Sequence, residues 1–379
     1  MRFVALAFQL LLVGTQVIAS DFETVSSFLE ESVEGGVVAG GSLLILERGQ
    51  VAYEAGFGYA DIESRNPFTI ETPAIIASIS KPILGTLAYR LSEQGKLDPG
   101  APITRYLPAY ANAKLENGDL LSRPPTTIEL LSHTGGTRLA ERKLGRPWFA
   151  NWTKGLRLDE VVNKYVEKIP FESQPGTKFA YSGIGTDIAA GVIEVAAGIP
   201  RNQLLIDEVA IPLGMKHTRF RDAAAVGVIP PLPTRYYYGK DRKLLVYQGL
   251  PVPPTNTYSS SGGSIISTAP DLARWLIMIQ NGGIHEGDLF LSTETFQEML
   301  LPVSPGNRIR GGFGILRKNN SGQPLAIGHS GSSGTYCWID FETGVIGIML
   351  TQTKGTDIKP FRLELVERIN ACLESEEAE

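Results

Sequence analysis

The chain has 379 residues, 43% hydrophobic and 20% charged, which is a globular composition with room for one large domain or two smaller ones. Its net charge is −5 and it has no basic stretch able to neutralise a phosphate backbone, which argues against nucleic acid as a partner. The four histidines (His133, His217, His285, His329) are scattered without ligand spacing and no phosphate-binding glycine loop occurs, so neither a metal nor a nucleotide or other cofactor is expected.

The N-terminus has the layout of a secretory signal: Arg2, the apolar run Phe3 to Val13, and Val17-Ile18-Ala19 before a cut at Ala19/Ser20. The run is too short to span a bilayer, and no later segment reads as transmembrane, so a periplasmic or secreted protein is expected. Removing Arg2 with that segment leaves the mature chain one unit more negative.

Residues 21–34 follow as an amphipathic helix that Asp21 can cap and Gly35-Gly36 ends. Ser42 to Glu47 and Val51 to Tyr59 read as a β-hairpin turning at Arg48-Gly49-Gln50. A helix from Ser78 to about Gln94 stops at Gly95, and Pro82 is tolerable in its first turn. Thr126 and Glu129 make a capping-box pattern for a helix that Gly135-Gly136 would terminate. Helices are expected at 158–168, 184–197 and 200–210, then at 268–280 (capped by Thr268) and 292–300. Residues 223–257, rich in proline and tyrosine, read as an irregular surface excursion. Strands are expected at 312–317, 325–328, 334–340 and 345–351, then a closing helix near 358–373.

This order predicts an α+β fold, with an antiparallel sheet flanked by N- and C-terminal helices and a large, mostly helical lobe inserted into it. The sheet lobe would be residues 20–75 plus 305–375 and the helical lobe 76–304, together one domain over 20–375, with an acidic tail at 376–379. A site should lie between the lobes, and Ser78 sits at their join. The only cysteines, Cys337 and Cys372, read as two buried thiols rather than a disulfide.

Ser78-Ile79-Ser80-Lys81 is the only S-x-x-K in the chain. On a helix this spacing puts a hydroxyl and an ammonium one turn apart on the same face. A serine hydroxyl needs a base within hydrogen-bond reach, and a lysine in a suitable environment can supply it. About one such tetrapeptide is expected by chance at this length, so the context decides. In Pro175-Gly176-Thr177-Lys178-Phe179-Ala180-Tyr181-Ser182-Gly183, a Pro-Gly turn and a short extended piece deliver Tyr181 just before a helix. Taken alone, Tyr181 is more simply a packing residue. In Gly328-His329-Ser330-Gly331-Ser332, the glycines allow close backbone approach on a predicted strand, though a lone histidine there is more simply a satisfied core residue.

In that order, Ser78-x-x-Lys81, Tyr181-Ser182-Gly183 and His329-Ser330-Gly331 resemble the three motifs of the serine β-lactamase and penicillin-binding-protein superfamily, in particular its class C β-lactamase-like branch. Leu91 to Pro108, Thr127 to Gly136, Pro212 to Thr218 and Gly262 to Gly283 also look like segments of that family. The resemblance implies Ser78 as the acylated nucleophile, with Lys81 and Tyr181 sharing acid/base work. It implies His329, with Ser330 and Gly331, in binding the substrate's polar group, and backbone amides of Ser78 and Ser332 as the oxyanion hole. Tyr110-Ala111-Asn112 and His133-Thr134-Gly135 fit the second and third motifs by letter, but the first lacks the Pro-Gly approach and the second ends a predicted helix.

Gly183 stands where the family has an asparagine, and glycine offers no side-chain donor or acceptor. That weighs against efficient β-lactam or peptide hydrolysis. The expectation is therefore an exported serine hydrolase acting through an acyl-enzyme on esters or small amides. A class C-type β-lactamase or a DD-peptidase/D-aminopeptidase is the alternative. A non-catalytic protein that binds or senses cell-wall peptides on the same fold is the third reading. Its partner is a small-molecule ester, amide or cell-wall peptide, and the sequence leaves the oligomeric state open.

Overall fold

Arg48 (φ 50°) and Gly49 (φ 80°) both take left-handed conformations, and this closes the first hairpin through the tight two-residue turn that matches strand twist. This computed structural model describes residues 22–137, 152–221, 231–247 and 258–376. The signal-peptide expectation and the Asp21 cap fall outside them.

In chain order, α1 (Glu23–Glu34) precedes β1 (Gly40–Glu47), β2 (Gln50–Asp61), β3 (Asn66–Pro67) and β4 (Ala74–Ile75). The middle of the chain carries α2 (Ser80–Glu93), α3 (Thr127–Leu131), α4 (Leu158–Lys168), α5 (Gly183–Ala197) and α6 (Arg201–Leu205). Strands β5 (Arg219–Phe220), β6 (Tyr236–Tyr238), β7 (Leu244–Val246) and β8 (Ile265–Ser267) lead to α7 (Ala269–Gln280). Next come β9 (Ile284–His285), β10 (Asp288–Leu289), α8 (Thr293–Leu300), β11 (Pro302–Val303) and β12 (Arg308–Ile309). The chain closes with β13 (Gly314–Lys318), β14 (Pro324–Ser330), β15 (Tyr336–Asp340), β16 (Val345–Thr351) and α9 (Lys359–Glu376).

Nine strands form one antiparallel sheet in the order β11-β12-β13-β14-β15-β16-β1-β2-β3. The seam between the two ends of the chain is the β1–β16 pair, in register from Gly41↔Thr351 to Glu47↔Val345. Alternation along β1 decides what each face buries. Leu43 and Ile45 pack with Val25 and Leu29 of α1 and Ile369 of α9. Leu44 and Leu46 face the other way, into the main core with Ile79, Leu87 and Trp275. Both faces are therefore covered, and truncating Leu43 to alanine is expected to cost roughly 2–5 kcal/mol. This is the α+β arrangement the sequence predicts.

Two local expectations change. The helix expected over 200–210 is α6 followed by a π-helical turn at Ile206–Ala210. Part of the 223–257 excursion is regular: β6 and β7 form a hairpin that joins the domain where Tyr236 bridges Thr353 and the Tyr236 hydroxyl accepts the Ile62 N–H at 2.8 Å. The prolines around it hide that pairing in the sequence. Residues 223–230 and 248–257 of the same stretch lie outside the described residues. As expected, Cys337 and Cys372 are both buried and form no disulfide, and burial pushes the Cys337 thiol up to about 12.

Candidate active site

Ser78 lies in a single 3₁₀ turn, Ala77–Ile79, that runs directly into α2. β8 holds this entry from one side. The Ile76 N–H donates to the Ile265 carbonyl at 3.0 Å, and the Ile265 N–H donates to Ser80 Oγ at 3.1 Å. Ala77, immediately before Ser78, sits at φ 48°, a left-handed conformation that a non-glycine residue holds only against some strain.

Lys81 is 3% exposed, and its Nζ donates to Ser78 Oγ at 3.0 Å and to the Gly262 carbonyl at 2.7 Å. The two bonds fix the ammonium between the serine and the loop before β8. Gly262 is glycine for a reason of space. A Cβ there would meet Lys81 Nζ at 2.9 Å, Lys81 Cε at 3.1 Å and Thr186 Cβ at 3.2 Å.

The turn after β14 is stitched to the residues just before Ser78. Ser333 Oγ donates to the Ile75 carbonyl at 2.7 Å, and Thr335 Oγ1 donates to the Ile76 carbonyl at 2.9 Å. Gly331 permits this approach, since a Cβ there would lie 2.6 Å from the Ile76 carbonyl oxygen. His329 and Ser330 therefore end a strand alongside the Ser78 turn, and Ser332 stands exposed at the turn itself. The Ser332 carbonyl accepts the Gly355 N–H at 3.0 Å, which fixes the turn from its far side.

Tyr181 arrives from the Pro-Gly turn, where Gly176 takes φ 78° and its N–H donates to the Thr134 carbonyl at 2.9 Å. The tyrosine is half-buried, with Lys81 Nζ 5.0 Å and Arg308 Cζ 5.6 Å from its ring centroid. Its ring centre is 6.4 Å from that of His329. The three sequence motifs thus converge on one place. Gly183 opens α5, and the Ser182 hydroxyl caps that helix by accepting the Gly185 N–H.

The two letter-matching decoys part company. Tyr110 is core: it is 1% exposed, and its hydroxyl donates to the Val162 carbonyl at 2.8 Å. His133 needs a correction. It is not on the third-motif strand, but neither do Gly135-Gly136 end the helix. Helix α3 stops at Leu131, and His133 itself is left-handed, at φ 65°. From there its carbonyl accepts the Ala180 N–H at 2.8 Å, its Nδ1 accepts the Ser182 N–H at 3.2 Å, and its ring lies 4.2 Å from that of Tyr181. No sequence pattern marks this role, because a backbone carbonyl carries half of it.

Charge in the site is one-sided. Burial, then the Lys81 ammonium and the Arg308 guanidinium, hold His133 well below the ordinary histidine value. Burial, then Arg308 and Lys81, do the same for His329. Both rings are therefore neutral at pH 7. His133 Nδ1 accepts a hydrogen bond, so its proton is on Nε2. His329 Nδ1 faces the Ser330 carbonyl at 3.0 Å, so Nδ1 carries the proton and Nε2 is an acceptor. Neither buried Nε2 has a partner among the described residues. Arg308, which the sequence reading does not flag, donates to the Gly312 carbonyl at 3.2 Å.

Three comparisons bear on this arrangement. The Beta-lactamase family model matches residues 25–369. Esterase EstB of Burkholderia gladioli is 27% identical over 354 residues, covering 83% of this chain and 86% of its own. D-alanyl-D-alanine-carboxypeptidase/endopeptidase AmpH of Escherichia coli K12 is 24% identical over 334 residues, covering 84% and 79%. Among solved structures, EstCE1, described as a hydrolase with promiscuous acyltransferase activity, superposes with a TM-score of 0.77 at 23% identity, over 92% of this chain and 98% of its own. The octameric penicillin-binding protein homologue from Pyrococcus abyssi gives 0.71 at 22% identity, over 91% and 77%.

Proposed function

This chain belongs to the beta-lactamase family as a serine hydrolase, and from that premise we propose that it is an exported enzyme that cleaves esters or small amides through an acyl-enzyme on Ser78. The observation that carries the proposal is the Lys81 ammonium held between Ser78 Oγ at 3.0 Å and the Gly262 carbonyl at 2.7 Å. It supports this reading, because a weakly nucleophilic serine needs a titratable amine within hydrogen-bond reach.

In the first half-reaction, Ser78 Oγ bonds to the substrate's carbonyl carbon, and its proton passes to the Lys81–Tyr181 pair, which in its reactive form is one proton short of ammonium plus phenol. The bond from that carbon to the leaving oxygen or nitrogen then breaks, and the pair returns the proton to the leaving group. Water repeats the sequence on the acyl-enzyme and restores the serine. Backbone amides of Ser78 and Ser332 would receive the developing oxyanion. The stitching of Ile75 and Ile76 to Ser333 and Thr335 supports that pairing, because it brings the two segments together.

Two features favour esters and small amides over β-lactams. Position 183 supplies no side-chain amide. The third-motif position offers a neutral histidine with a free acceptor nitrogen, where a lysine would offer a cation. The esterase named among the relatives agrees with this preference, and the carboxypeptidase/endopeptidase supports the alternative of D-amino-acid peptides. Export rests on Arg2 and the apolar run from Phe3 to Val13. The test is a panel of p-nitrophenyl esters, a chromogenic cephalosporin and D-Ala-D-Ala peptides, with Ser78→Ala as control. Faster turnover of the cephalosporin than of the ester reverses the preference, and unchanged turnover by Ser78→Ala removes the assignment of the nucleophile.

A further inference from the structure

Asp187 is a carboxylate on α5 that is 1% exposed and that the mechanism above does not use. Its two oxygens are spent on one short loop. Oδ2 accepts the Tyr258 hydroxyl at 2.6 Å, and Oδ1 accepts the Ser261 backbone N–H at 2.6 Å. The residue after Ser261 is Gly262, whose carbonyl holds Lys81 Nζ. Arg201 grips the same loop one step earlier, donating to the Ser259 carbonyl at 2.6 Å and to Ser259 Oγ at 3.1 Å.

We propose that Asp187 is a positioning residue for Lys81: by fixing the Tyr258–Gly262 loop it aims the Gly262 carbonyl at the ammonium and so sets the Lys81–Ser78 contact. Asp187 acts through the loop and touches neither reacting atom. The arrangement answers the gap at position 183. In the family this chain resembles, an asparagine at that position helps to orient the lysine, and here the Gly262 carbonyl contacts the ammonium. Burying a carboxylate opposes its ionisation and raises its pKa. A group held at that disadvantage, with both oxygens aimed at a single loop, points to a demand for geometry rather than to packing.

The proposal rests on the serine-hydrolase reading, and the experiment separates the two. Labelling of Ser78 by a fluorophosphonate probe is followed from neutral to alkaline pH, alongside thermal unfolding, in wild type, Asp187→Ala, Asp187→Asn, Tyr258→Phe and Val192→Ala. Val192 is a buried α5 residue outside this network and serves as the control for lost packing. Asp187→Asn can keep both bonds, with Oδ1 accepting from Ser261 and Nδ2 donating to the Tyr258 oxygen.

The expected result is labelling slowed about 100-fold in Asp187→Ala, with a shifted pH profile, because small misplacements of reacting groups have effects of that size. Asp187→Asn should stay within about threefold of wild type, and Tyr258→Phe should slow about tenfold. Wild-type labelling with a wild-type pH profile in Asp187→Ala overturns the proposal, and so does a loss no larger than that of Val192→Ala. If Asp187→Ala does not fold, Tyr258→Phe decides, and wild-type labelling there overturns the proposal equally. If wild-type protein is not labelled at all, the serine-hydrolase reading falls and this proposal falls with it.

Discussion

His133 holds Tyr181 from both flanks: its carbonyl takes the Ala180 N–H at 2.8 Å and its Nδ1 takes the Ser182 N–H at 3.2 Å. Replacing it by alanine removes the side-chain half of this grip and leaves a Cβ at φ 65°, where alanine gains nothing locally. His133→Ala should lose roughly 1–2 kcal/mol of stability and lower kcat about tenfold with little change in KM, because Tyr181 is misplaced. Asparagine tolerates the left-handed region and offers an acceptor oxygen. His133→Asn should therefore recover most of kcat. Steady-state kinetics of the two variants on one p-nitrophenyl ester checks this, and equal losses in both would refute it.

Gly262→Ala tests the lysine clamp without replacing Ser78 or Lys81. The added methyl would stand 2.9 Å from Lys81 Nζ, and Thr186 Cβ at 3.2 Å blocks its retreat. The ammonium must move away from Ser78, so kcat/KM should drop about 100-fold. Circular dichroism should stay unchanged, because Gly262 lies in a turn and the group it displaces is the end of the Lys81 side chain. Activity within about threefold of wild type would show that the Gly262 contact is incidental.

The two buried histidines set the acid limit of the protein. In the unfolded chain each takes up a proton as pH falls through about 6.5, whereas the folded values are depressed. Below that pH the unfolded state binds more protons. Stability is therefore fully present above about pH 6.5 and is lost as pH falls through the folded values. Thermal unfolding across this range should give a flat plateau with an acidic decline. Arg308→Gln removes a positive charge that depresses both rings, so their values rise. The stability decline should then shrink, while the low-pH limb of kcat/KM moves to higher pH. A variant whose limb stays in place would show that burial and the Lys81 charge suffice to hold the rings neutral.

Position 183 should govern the ratio of substrates. Gly183→Asn restores a side-chain amide at the start of α5, a position that tolerates asparagine next to the Ser182 cap. The ratio of cephalosporin to ester turnover should rise about tenfold. An unchanged ratio would move the source of selectivity elsewhere in the pocket.

Ser78 and Lys81 are legible in the sequence because their relation is local: a 3₁₀ turn running directly into α2 keeps residues three positions apart within reach of each other. The sheet is legible because its strands alternate, as Leu43 to Leu46 show by feeding opposite cores. Gly262 and Asp187 are not legible, since a backbone carbonyl leaves no letter in the sequence and Asp187 meets its loop only after folding, 74 positions away. His133 is hidden for the same reason, and two following glycines offer an easier explanation of its surroundings. Arg308 lies in a two-residue strand, one in from the sheet edge, whose letters carry no motif. The β6–β7 hairpin is masked by prolines that flank the pairing rather than interrupt it.

The bond from Ser333 to Ile75 joins residues 258 positions apart, and it forms beside a sheet whose seam pairs β1 with β16. Such distant pairings are late events in folding, because loop closure precedes any reward from them. A nascent or translocating chain that has not yet delivered β14 and β16 therefore carries Ser78 and Lys81 without their partner segment. On the proposed mechanism, Ser78 gains its full reactivity only once the C-terminal strands have paired, and Ser78 labelling during refolding would report that last step.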